Sequence, residues 1–113
     1  MKLLKLNFFV LFFLLSVFNI FGQSARVRTF DAQHYIIRSN FDRKNKIYFG
    51  DTTVQVKPLK DGFNTLVLDS VGMKFDSVTL ESDGTTLDYK QVGDKINVYL
   101  GKSFSPNDLV SVR

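Results

Sequence analysis

The side chains that could do chemistry in this 113-residue chain are few, and their spacing does not favour it. His34 is the sole histidine, so neither the paired imidazoles of a His-Glu-x-x-His zinc helix nor a two-histidine triad can form. Cysteine is absent, which removes thiol nucleophiles and thiolate metal sites. No Gly-x-Ser-x-Gly elbow occurs, and the seven glycines are scattered at turns rather than gathered into a phosphate-cradling loop. Two carboxylates can share acid and base roles. Here, however, Asp and Glu fall at turns or on outward alternate positions, the pattern of a solvated surface. Asp42, Asp61, Asp83 and Asp94 each stand near a turn without a second carboxylate two residues on, so no calcium loop is encoded.

His34 has the chemistry of a metal ligand or general base, but nothing near it supplies second and third ligands. A histidine hydrogen-bonded within a sheet is the simpler expectation. Arg26, Arg28, Arg38, Arg43, Lys44 and Lys46, interleaved with Phe30, Tyr35 and Phe41, have the composition of a surface for single-stranded nucleic acid. The aromatics fit the buried face of a strand, and the charges fit a turn and a solvated face. No nucleic-acid partner is expected. From the residues themselves no catalytic, cofactor-binding or metal-ligating position is assigned.

The elements that would position these residues begin only after a leader. Lys2 and Lys5 precede an apolar run from Phe8 to Phe18, followed by Asn19-Ile20-Phe21-Gly22-Gln23-Ser24-Ala25. That is the three-part layout of a secretory signal peptide. Spanning a bilayer takes roughly 20 apolar residues, and Asn19 and Gly22 interrupt the run too early, so no stable membrane anchor is expected. No Cys follows to accept a lipid. The expected division is a signal peptide over residues 1–22, cleaved after Gly22 or alternatively after Ala25, and one domain over 23–113. The product is exported to the periplasm, cell surface or medium. The leader holds six of the twelve Phe and two of the fifteen Lys and Arg, so the mature part is +2 rather than +4. Such a near-balance gives little pull toward polyanions. An exported domain of this size without disulfides needs a good apolar core or a neighbour to pack against.

Beyond a polar lead-in the pattern has period two, broken by turn residues. Residues 34–41 read as a strand with Tyr35, Ile37 and Phe41 on one face, and 46–57 as a second with Tyr48, Val54 and Val56 together. Gly50 inside that second strand marks a bulge or a close backbone approach. Thr65-Leu66-Val67-Leu68-Asp69 is apolar on both sides, as a buried strand would be. Residues 75–80 alternate cleanly, and Asp83-Gly84 is a hairpin signal. Residues 86–91 and 95–100 pair across Val92-Gly93-Asp94, and Ser105-Pro106-Asn107-Asp108 turns into a last strand at Leu109-Val110-Ser111-Val112. No stretch has helical periodicity. The expected fold is all-β, a twisted sheet or β-sandwich of about seven strands. A chain ending just inside that last strand is expected to be truncated, leaving an unpaired sheet edge.

Read together, Gln33-His34-Tyr35-Ile36-Ile37-Arg38-Ser39-Asn40-Phe41-Asp42 and Tyr48-Phe49-Gly50-Asp51-Thr52-Thr53-Val54-Gln55-Val56 resemble the opening of the N-terminal β-domain of the aminopeptidase N family of zinc peptidases. Leu66-Val67-Leu68-Asp69 is similar to that family's Leu-x-Leu-Asp strand, and Met73-Lys74-Phe75-Asp76-Ser77-Val78 to its next apolar segment. Ser105-Pro106-Asn107-Asp108-Leu109-Val110 resembles its turn into a further strand. The resemblance covers residues 30–112. Each motif is weak alone, and their order and spacing carry it. It implies a zinc exopeptidase acting on the N-termini of peptides. The zinc, its His-Glu-x-x-His helix and the Gly-x-Met-Glu-Asn amine-binding stretch would lie in a downstream catalytic domain, none of it within residues 1–113. The matched positions His34, Tyr35, Gly50 and Leu68 are then sheet and turn determinants. The expected partners are that catalytic domain and, through the whole protein, peptide substrates. The alternative is a secreted β-sandwich that binds a partner or serves a structural role without peptidase activity.

Overall fold

The computed structural model describes residues 27–113; the expected leader, residues 1–22, lies outside the described residues. The described chain is all-β. Its strands are β1 (Phe30–Asp42), β2 (Ile47–Pro58), β3 (Phe63–Asp69), β4 (Asp88–Val92), β5 (Lys95–Phe104) and β6 (Val110–Val112). They form two antiparallel three-stranded sheets, ordered β1-β2-β6 and β3-β5-β4.

Alternation along each strand sends one face of each sheet inward. Val54 and Val56 of β2 stand opposite Val112 and Val110 of β6. In the other sheet Leu66 of β3 stands opposite Val98 of β5. These side chains join Phe63, Ile96 and Leu100, and Val78, Leu80 and Leu87 from the connection between β3 and β4, in one buried cluster. The core is thus shared by both sheets, as in a small sandwich. Fully burying an aliphatic side chain contributes about 1.5–3 kcal/mol, and Leu66 and Val56 have no exposed surface.

The turns follow their residue chemistry. Asp42 closes the β1–β2 hairpin: its Oδ1 accepts from the N–H groups of Lys44 and Asn45 at 2.9 and 3.2 Å, and its Oδ2 from Asn45 Nδ2 at 2.7 Å. Lys46 leaves that turn at a φ of 55°. Val92 pairs directly with Lys95, so the β4–β5 turn is two residues, Gly93-Asp94, one fewer than the sequence suggested. Gly93 takes a φ of 58°, which the first central position of a type II′ turn requires. Asp83-Gly84 and the stretch from Ser105 to Asp108 are turns as expected.

Four expectations need correction. Residues 75–80 form no strand: Thr79 and Leu80 make isolated bridges to Thr86 and Val112, and the chain turns away at Glu81. Their alternation reflects Val78 and Leu80 entering the core, not a ladder, so the named strands number six rather than about seven. β3 is buried on one side only, with Val67 exposed. β6 is not an open edge. It pairs with β2 on one side, while on the other Arg113 exchanges both backbone hydrogen bonds with Thr79 and Ser111 C=O accepts from Glu81 N–H. Finally, the face carrying Tyr35, Ile37 and Phe41 is not buried; these side chains are 51%, 69% and 47% exposed. Three-residue β6 covers β2 only at Val54–Val56, so the outer half of the hairpin has no third strand beside it among the described residues.

Candidate functional site

The β1–β2 ladder runs from Phe30↔Pro58 out to Asp42↔Ile47, with one irregularity between Ala32 and His34. Directly opposed residues share a face. One face of the outer hairpin therefore carries Tyr35, Ile37, Ser39 and Phe41 from β1 with Tyr48, Gly50 and Thr52 from β2. No charge lies on it, and it continues the plane of core residues Val54 and Val56. Phe41 and Tyr48 pack ring on ring at 4.6 Å between centroids, yet Tyr48 stays 77% exposed. The reverse face is mixed, with Ile36, Asn40, Ile47 and Phe49 beside charged Arg38, Asp42 and Asp51. Tyr35, Ile37, Phe41 and Tyr48 make the first an exposed, uncharged and largely apolar face.

Gly50 belongs to that surface for a steric reason. It pairs with Ser39 in an unbulged ladder, and a Cβ added there would lie 1.9 Å from the backbone oxygen of Arg38. Of the two sequence readings for this glycine, close backbone approach is the one realised.

Two polar groupings tie the sheet's reverse side together. Asp51 receives Arg38 Nη1 at 3.0 Å and Arg113 Nε at 3.3 Å. Glu81 accepts from the hydroxyls of buried Thr53 at 3.3 Å and of Ser111 at 3.2 Å. Neither was legible in sequence, because the partners lie 28 to 30 residues apart in the Glu81 set and no local pattern links them. Beside Glu81 an open groove of about 430 Å³ is lined by Leu80, Lys102, Phe104, Asp108 and Val110. Lys102 Nζ sits 5.3 Å from the centre of the Phe104 ring. With Glu81 held by two hydroxyls and Lys102 over a ring, the groove has polar anchors.

The residues weighed from the sequence are spread rather than gathered. His34 lies exposed on β1 just after the irregularity, and none of the side-chain hydrogen bonds described involves it. Of the basic set, Arg38 is paired with Asp51, whereas Arg43, Lys44 and Lys46 ring the exposed hairpin turn. Phe30 meets Phe63 edge-on at 6.2 Å at the margin of the core, far from a stacking platform with Tyr35 and Phe41. Among the described residues no three His, Asp or Glu side chains come together as a metal set. No protein-family model matches this chain, and no curated protein matches it significantly.

Proposed function

We propose that this chain is the non-catalytic N-terminal β-domain of an exported zinc aminopeptidase, packing against that enzyme's catalytic domain and helping to wall its peptide cleft. The observation that carries the reading is the ordered run of matches from His34-Tyr35 through Phe49-Gly50 and Leu66-Val67-Leu68-Asp69 to Leu109-Val110. The uncharged outer face of the β1–β2 hairpin supports it, since exposed apolar surface of that kind suits packing against a neighbouring domain. In this reading zinc and the residues that use it belong to the catalytic domain, and this chain contributes walls and contacts. The test is direct. The gene product isolated from its native exporting cell should carry zinc and release N-terminal residues from peptides, with activity lost on chelation, while residues 1–113 alone release nothing. A zinc-free native product with no such activity would sink the proposal.

One observation favours the second reading, a secreted sandwich that binds or supports without chemistry. The core is closed by this chain's own residues from both sheets, which is what a self-sufficient module needs. The same isolation separates the two, because that module would carry no zinc and release nothing.

A further inference from the structure

β1 is an edge strand whose one ladder partner among the described residues is β2. Hydrogen-bond alternation tells which of its backbone groups face outward. Arg113 and Thr79 exchange both bonds, at 2.9 and 2.7 Å, and Glu81 N–H donates to Ser111 C=O at 2.9 Å. Ser111 and Arg113 therefore point away from β2, and Val110 and Val112 bond to it at Val56 and Val54. The alternate β2 residues Asp51, Thr53 and Gln55 then bond β1 at Arg38, Ile36 and His34. Tyr35, Ile37, Ser39 and Phe41 are left presenting N–H and C=O to the open edge.

Such a row is a template for another strand unless it is blunted, and β1 carries neither Lys nor Pro along its length. Its regular stretch is bounded by the irregularity before His34 and by the turn after Asp42, and its midpoint is Arg38. We infer that β1 pairs with β1 of a second copy of this chain, antiparallel about a two-fold axis at Arg38, joining two hairpins into one four-stranded sheet. Two-fold symmetry makes the contact self-complementary. In this register Tyr35 faces Phe41 of the second copy, Ile37 faces its Ser39, and His34 faces its Asp42. An imidazole thus meets a carboxylate at both ends. Asp42 still has a lone-pair position free beyond the three it uses in its own turn. At the axis each Arg38 is countered by its own Asp51 at 3.0 Å. Sliding by two residues destroys the match: one direction sets His34 against Asn40 and Ile36 against Arg38, and the other sets Ile36 against Asp42. The uncharged faces of the two hairpins become one, so the edge contact enlarges the surface assigned above to domain packing and does not compete with it.

Absence of Cys allows a register-specific test. The chain should sediment at twice its monomer mass. Arg38 is a non-hydrogen-bonded position across the axis, where paired Cα atoms approach to about 4.5 Å, within disulfide range. Oxidised Arg38→Cys should therefore run as a covalent dimer, while Asn40→Cys, which faces Ile36, should cross-link about tenfold less. Ile37→Pro removes an outward N–H while leaving every β1–β2 hydrogen bond in place, and should halve the sedimenting mass. Should that variant lose its circular dichroism, Ser39→Lys reads the same twofold loss without touching the backbone. A wild type that is monomeric at every soluble concentration overturns the inference. So does a dimer that survives the edge variants, or one in which Asn40→Cys cross-links as fast as Arg38→Cys.

Discussion

Replacing Gly50 by alanine tests how the hairpin is held, and the geometry supplies the size of the effect. The added Cβ would sit 1.9 Å from the Arg38 carbonyl oxygen, against 3.4–4 Å for ordinary contact. Relief requires a backbone shift of about 1.5 Å, roughly a third of the ~4.8 Å strand spacing. That is enough to break the pair of backbone hydrogen bonds between Arg38 and Asp51, worth about 1 kcal/mol each. The Arg38–Asp51 ion pair is solvent-exposed, and such pairs add little. The loss of about 2 kcal/mol amounts to ~30-fold in local opening. It stays in the outer hairpin, because Val54, the first core residue on β2, lies four residues beyond Gly50, and Leu66 and Val98 belong to the other sheet. Hydrogen exchange followed by NMR should show ~30-fold less protection at Asp51 and its neighbours, with Leu66 and Val98 amides unchanged to within about twofold. An unchanged hairpin, or a uniform loss across both sheets, would refute the reasoning.

Leu66→Ala, at a position with no exposed surface, should lower unfolding stability by about 2–5 kcal/mol in chemical denaturation, and Val67→Ala by less than about 1 kcal/mol. Equal effects would contradict a core confined to one face of β3. The Asn45 side-chain amide, then the Asn45 and Lys44 backbone N–H groups, hold the Asp42 carboxyl below its ordinary 3.8. A depressed folded pKa stabilises the turn fully above the unfolded value and loses that stabilisation as pH falls through the folded one. Amide protection at Lys44 and Asn45 should therefore vanish only in acid in the wild type and already at neutral pH in Asp42→Ala; protection indifferent to acid would contradict this. N-terminal sequencing of the exported product should begin at Gln23, or at Arg26 if cleavage follows Ala25. A product retaining Met1 would contradict a cleaved leader.

The class of fold was legible because strand alternation and turn chemistry are local. Asp42, Gly93 and Ser105-Pro106 each encode their turns, and Gly50 announced a bulge or a close approach, of which the ladder contains the second. Burial was less legible, because it depends on which strands lie alongside. Tyr35, Ile37 and Phe41 alternate as a core face should, but the buried cluster reaches along β2 only as far as Val54, leaving them in solvent. Val78 and Leu80 show the converse, a buried alternation without a ladder. The groupings around Asp51 and Glu81 join distant segments and leave no mark on any local window. The edge of β1 became visible only once the register of β2 with β6 fixed which backbone groups point outward.

The proposal that this is the wall domain of a zinc aminopeptidase is tested most directly by reading the coding sequence past Arg113 for several hundred codons. It predicts a Gly-x-Met-Glu-Asn stretch, then His-Glu-x-x-His with a further Glu downstream. A stop codon soon after Arg113, or a continuation lacking both histidines, would contradict the enzyme reading and leave a secreted β-module that binds or supports.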